Sequence, residues 1–167
     1  MRPPPRHHAW PQPVRLGRRH ELWVYGLAAL LLLSGAGWLV AHYFLAIPTE
    51  FGDPHQPSEP WWLRLHGAAA MGFLVIVGTV LLNHVVRAWH LRSNHKSGLV
   101  FMGLLAAMVL TGYALYYFGG EETRPWISKA HWIAGLASAV ALPIHAVLGR
   151  RRRKWIAGGH AAGRRSG

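Results

Sequence analysis

Five of the twelve histidines in this chain lie within or beside long apolar runs: His42, His66, His84, His131 and His145. Ionisable side chains at membrane depth are costly and mark functional sites by default. Their spacing is informative. His66 and His84 are eighteen residues apart and His131 and His145 fourteen apart, close to whole numbers of α-helical turns, so each pair is predicted to share a helix face. His66 and His131 each follow the start of an apolar run. His84 and His145 each precede a basic residue, Arg87 or Arg150. Two runs crossing in the same direction would therefore carry two histidine pairs at matching depths. The other seven (His7, His8, His20, His55, His90, His95 and His160) fall in tails or loops, where a solvated role is the default.

Facing imidazoles at two depths suit two b-type haems. Haem iron takes an axial nitrogen on each side of the porphyrin, and the second ring nitrogen of each histidine needs a hydrogen-bond partner. The expected ligands are His66 with His131 for an outer haem and His84 with His145 for an inner one. His20 and His42 are alternates. Small residues beside the ligands, among them Gly35, Gly37, Gly103, Gly112 and Gly135, would leave room for a wide ring, though glycine also favours plain helix packing in membranes. Both outer histidines follow a cation by two places, in Arg64-Leu65-His66 and Lys129-Ala130-His131. These cations, with Arg87 on the inner side, are expected either to pair with haem propionates or to anchor the helices at the interface. Proton relay or metal transport would call for Asp or Glu well inside an apolar run, and none is there.

The elements that must position these side chains are four apolar runs: Leu22–Ile47, Trp61–Val86, Gly98–Phe118 and Trp126–Leu148. Each meets the ~20 residues that a helix needs to cross the hydrocarbon layer, and open strands cannot span lipid. The expected fold is an all-α integral membrane four-helix bundle over residues 22–149, between a basic Pro-rich tail (1–21) and a basic tail (150–167). The first run is too long for the apolar part of a signal peptide, which points to a retained span. Residues 1–13 and 158–167 read as disordered. Pro143, two residues before His145, would allow a bend that offsets the unequal spacing of the two pairs.

Composition agrees. The chain is 51% apolar and 14% charged, against about 25% charged in a typical soluble domain. Its 18 Lys and Arg outnumber 6 Asp and Glu. The basic residues cluster before the first run, between the second and third, and after the fourth. The acids Glu50, Asp53, Glu59, Glu121 and Glu122 lie in the two remaining loops. The positive-inside rule then sets both termini in the cytoplasm. The basic blocks fit topology and anionic lipid rather than nucleic acid. Trp38, Trp61, Trp62 and Trp126 would mark the outer interface and Trp23, Trp89 and Trp155 the inner one. With no cysteine, disulfides, thiolate metal sites and Cys-linked haem are excluded.

The stretches WWLRLHGAAAMGFL, LLNHVVRAWH, TGYALYYFGGEETRPW and HWIAGLASAVALPIHAVLGRR cover most of residues 61–151. Through them the sequence resembles the four-helix membrane b-type cytochromes, the group of bacterial cytochrome b561 and hydrogenase b-type subunits. Within it the chain looks closest to small DUF4405-type membrane proteins. The fourteen-residue histidine spacing carries most of the likeness, with His131, His145 and His66 matching the family's ligands. In that group a histidine at the cytoplasmic end of the first helix can serve as the inner ligand. His20 stands there, and His84 is the better candidate by depth. The resemblance implies a bacterial inner membrane location and single-electron transfer between quinol or quinone and a periplasmic or membrane redox partner, as an electron-transfer protein or subunit rather than a stand-alone enzyme. No quinone motif is legible. The competing expectation is a haem-free membrane anchor or assembly subunit.

Overall fold

The computed structural model describes residues 16–48, 56–90 and 95–163, and these are overwhelmingly helical. Helix α1 spans Arg18–Phe44 and α2 spans Glu59–Val80; a π-helical turn, Leu81–Val85, leads from α2 directly into a short α3, Val86–His90. Helices α4 (His95–Tyr117) and α5 (Arg124–Gly163) complete the chain. Four of these helices are long and apolar enough to cross a membrane. They coincide with the four apolar runs to within a few residues at most ends. Pro60 and Pro125 sit in the first turns of α2 and α5, where a missing N–H costs nothing.

The four spans pair as two hairpins. α1 packs along α2 and α4 along α5, and the hairpins meet where α1 approaches α5. Glu21 and Arg150, 3.7 Å apart, join the start of α1 to α5 at the edge of the basic region. Close packing within the first hairpin depends on a glycine. A Cβ built on Gly37 would stand 2.7 Å from the Trp62 ring, so only glycine lets α1 take the indole against its backbone. Trp62 is accordingly half-buried, and so is Trp38. Trp62 is thus less open than an interface marker would be, because Gly37 on α1 makes space for its indole. Trp61, Trp126, Trp23, Trp89 and Trp155 are exposed, as expected of an interfacial belt.

The surface is that of a protein solvated by lipid. Leu33, Val75 and Leu110 are each about two-thirds exposed, whereas the buried residues among those described are Ala41, Ala69, Phe73 and Ser34. The side chain with no exposure at all is a hydroxyl, Ser34.

Two local features depart from the sequence reading. The second span contains a wider turn at Leu81–Val85, and Pro143 lies inside the α5 helix. A wider turn advances through fewer degrees per residue than an α turn, so His84 rotates away from the face that uniform α periodicity would give it with His66. Second, the α5 backbone stays helical to Gly163, through much of the tail read as disordered. Arg150–Lys154 are good helix formers and no proline interrupts the ladder beyond them. Residues 1–13, Glu50, Asp53 and Arg92 lie outside the described residues, as do the side chains of Arg87, His90 and His160.

Candidate functional site

His66 projects from α2 toward α1. The Ser34 hydroxyl donates its proton to the Leu30 carbonyl at 2.7 Å, one turn earlier in α1. Its oxygen is then free to accept from His66 Nδ1 at 3.0 Å, and the Leu31 carbonyl offers a second acceptor at 3.1 Å. A carbonyl only accepts, so Nδ1 must carry the ring proton. The neutral imidazole consequently holds its lone pair on Nε2.

The second hairpin repeats this arrangement. Thr111 of α4 donates to the Ala107 carbonyl at 2.6 Å and accepts from His131 Nδ1 of α5 at 2.8 Å. His131 is thereby set in the same tautomer, again with its lone pair on Nε2. In each case a glycine follows the hydroxyl and lies under the ring. A Cβ on Gly35 would meet His66 Cε1 at 3.3 Å, and one on Gly112 would meet His131 Cε1 at 3.4 Å.

The two rings belong to different hairpins, and the fold brings them together with centroids 6.2 Å apart and planes at 76°. A metal–imidazole bond is about 2.0–2.1 Å and a ring centre lies roughly 1.1 Å beyond its nitrogen, so two imidazoles across one metal ion have centres about 6.3 Å apart. An edge-to-face ring contact also falls in this distance range. What distinguishes the pair is that each Nδ1 is committed to a helix neighbour and each Nε2 is left with its lone pair. Among the described residues there is no cluster of three or more His, Asp or Glu suited to a bare metal ion. A porphyrin iron asks the protein for two nitrogens only, because the macrocycle supplies four. The residues present fit that group.

Fourteen residues further along α5, His145 Nδ1 lies 3.0 Å from the Ser97 hydroxyl of α4. Its ring stacks on Phe101, with centroids 6.2 Å apart and planes at 13°. Gly98 again follows the hydroxyl, with the place of its Cβ 3.6 Å from His145 Cε1. His84, its expected partner, lies in the π-helical turn. Of the alternates, His20 is exposed in the first turn of α1. His42 is engaged nearer the C-terminus of α1: its Nδ1 is 3.1 Å from Glu59 Oε2 and its ring stacks on Trp38 at 4.7 Å.

The cations beside the outer histidines lie over aromatic faces one turn back. The Arg64 guanidinium is 4.7 Å from the Trp61 ring and the Lys129 ammonium 4.8 Å from the Trp126 ring. All four side chains are exposed, the arrangement of interface anchors.

Sequence reasoning missed the hydroxyls. Ser34-Gly35, Ser97-Gly98 and Thr111-Gly112 each stand opposite a histidine of the next span. Two signals could have found them. Ser97 and Thr111 are fourteen residues apart, the spacing of His131 and His145 in the antiparallel neighbour. In addition, Pro60-Trp61-x-x-Arg64-x-His66 recurs as Pro125-Trp126-x-x-Lys129-x-His131, the mark of one hairpin design used twice. No family model matches the chain, and neither a curated relative nor a solved structure matches it.

Proposed function

We propose that this chain is a dihaem b-type membrane cytochrome that carries single electrons across or within the membrane. The observation that carries the reading is the His66–His131 pair: two imidazoles from separate hairpins, 6.2 Å apart, each with Nδ1 bonded to a neighbouring helix. When bound, haem b supplies a one-electron iron couple. The protein's own residues do the rest. His66 and His131 would hold the outer haem through Nε2, and Ser34 and Thr111 hold the two rings at a set rotation. His145, held by Ser97, is the matching ligand of the inner haem, with His84 as partner and His20 as the alternate. Fourteen residues of α5 separate its two histidines, about 21 Å at 1.5 Å rise per residue, so the two sites would span most of the hydrocarbon layer. The apolar outer faces of the spans keep water from both.

Charge distribution supports an orientation with both termini in the cytoplasm, and the family resemblance implies a bacterial inner membrane. Topology reporters fused at Gly120 should then read external and reporters at the C-terminus internal. An external C-terminus would overturn the orientation. The exchange partners that the family resemblance implies are quinol or quinone in the lipid and a redox protein at the surface.

The test of the function is the pigment itself. Protein purified from haem-replete cells should be red, show a reduced α-band, and yield two haem b per chain on acid extraction. A colourless protein would overturn the proposal in favour of a haem-free anchor or assembly subunit.

A further inference from the structure

Two buried indole donors stand close in sequence to the histidine pair and the hydroxyls that hold it. The indole Nε1 atoms of Trp38 and Trp132 are both buried and have no hydrogen-bond partner among the described residues. Buried tryptophan usually pairs its N–H, because leaving a buried donor unmatched is costly.

Their positions make this more than an isolated defect. Trp38 stands one turn after Ser34, the residue that holds His66. Trp132 directly follows His131. The first belongs to α1 and the second to α5, the helices along which the hairpins meet. Helical side chains lean toward the N-terminus of their own helix. Trp38 therefore leans back toward the turn of Ser34, and Trp132 leans back over the turn of His131. Each hairpin thus contributes one histidine of the pair and, within a turn of that histidine or of the hydroxyl that holds it, one unmatched N–H donor.

An indole N–H only donates, so its complement is an acceptor, and the strongest acceptor is an anion. The nearby cations do not supply this role inside the bundle, since Arg64 and Lys129 lie over the exposed rings of Trp61 and Trp126. Haem b carries two carboxylates, and the layer holds two such donors. We infer that Trp38 and Trp132 bind the propionate carboxylates of the haem held by His66 and His131. This rests on the cytochrome reading and adds to it the residues that fix the macrocycle's rotation about its axial bonds.

Reduction adds a negative charge near the carboxylates. A donor that withdraws charge from them favours the reduced form, and its loss favours the oxidised form. Trp38→Phe and Trp132→Phe keep the ring and remove the N–H. In redox titration of the purified haem-loaded variants, each should shift the outer couple about threefold toward oxidised at a given ambient potential, a fall of ~28 mV at 59 mV per decade. The inner couple should stay at its wild-type value. A second measurement needs no variant. Redox-difference infrared spectra of wild-type protein grown on indole-nitrogen-labelled tryptophan should show shifted N–H bands. Unchanged potentials in both variants at full haem content, or no isotope-sensitive band, would overturn the inference while leaving the cytochrome reading intact. Wild-type protein without haem would overturn both.

Discussion

His131→Ala protein is expected to purify with one haem b instead of two, and His66→Ala protein with the same single haem. The two rings lie with centroids 6.2 Å apart and would hold one haem between them, so both variants should empty one site. The double variant should therefore lose no more haem than either single one, the non-additivity expected of residues acting as a unit. His145→Ala should remove the other haem. His84→Ala should do the same if His84 is the inner partner, and His20→Ala then leaves both haems in place. The reverse result would assign the inner ligand to His20. His42→Ala should keep both haems, because its Nδ1 bonds Glu59 and its ring lies on Trp38. Extracted haem per chain and reduced-minus-oxidised spectra check all of these, with far-ultraviolet circular dichroism to show that the helices remain. Independent, additive losses from His66→Ala and His131→Ala would mean that the two rings do not share a ligand.

The second large effect concerns the hydroxyls that orient the rings. Partners of a metal-bound histidine typically contribute 10–100-fold to metal affinity. Thr111→Val keeps the shape of the side chain and removes the acceptor of His131 Nδ1. Haem at the outer site should then dissociate about 10–100-fold faster into a haem scavenger, a loss of roughly 1.4–2.7 kcal/mol. Ser34→Ala should cost less, because His66 Nδ1 keeps the Leu31 carbonyl at 3.1 Å. Ser97→Ala should weaken only the inner site, through His145. The expected order at the outer site is thus Thr111→Val above Ser34→Ala, with Ser97→Ala silent. Equal haem retention in all three variants would reduce the hydroxyls to packing residues.

Physical simplicity explains what was legible in the sequence. Lipid offers no hydrogen-bond partner to the backbone, so an apolar run of span length has to be a helix, and hydropathy is a local property. The four spans and the depth of His66, His131 and His145 within them follow from residue types and spacing alone. Helical periodicity also places His131 and His145 near one face of α5, where each meets a hydroxyl of α4.

What only the tertiary structure decided is how each helix is rotated about its axis and how far it slides along its neighbour. Those two quantities determine that Ser34 and Thr111, rather than solvent or another ring, receive the Nδ1 protons of His66 and His131. They also turn Trp38 and Trp62 inward, although aromatic residues near a span end read as interface markers. The deciding contact for Trp62 is its packing on Gly37, which is remote in sequence and in another helix, yet the place of a Gly37 Cβ is 2.7 Å from the indole. The π-helical turn at His84 is equally invisible to a hydropathy pattern, because one wide turn leaves the apolar count unchanged while rotating the side chains within it. Spans are chosen by burial in lipid, residue by residue; the histidine site is chosen by hydrogen bonds and close glycine contacts between helices, which exist only once the hairpins have packed.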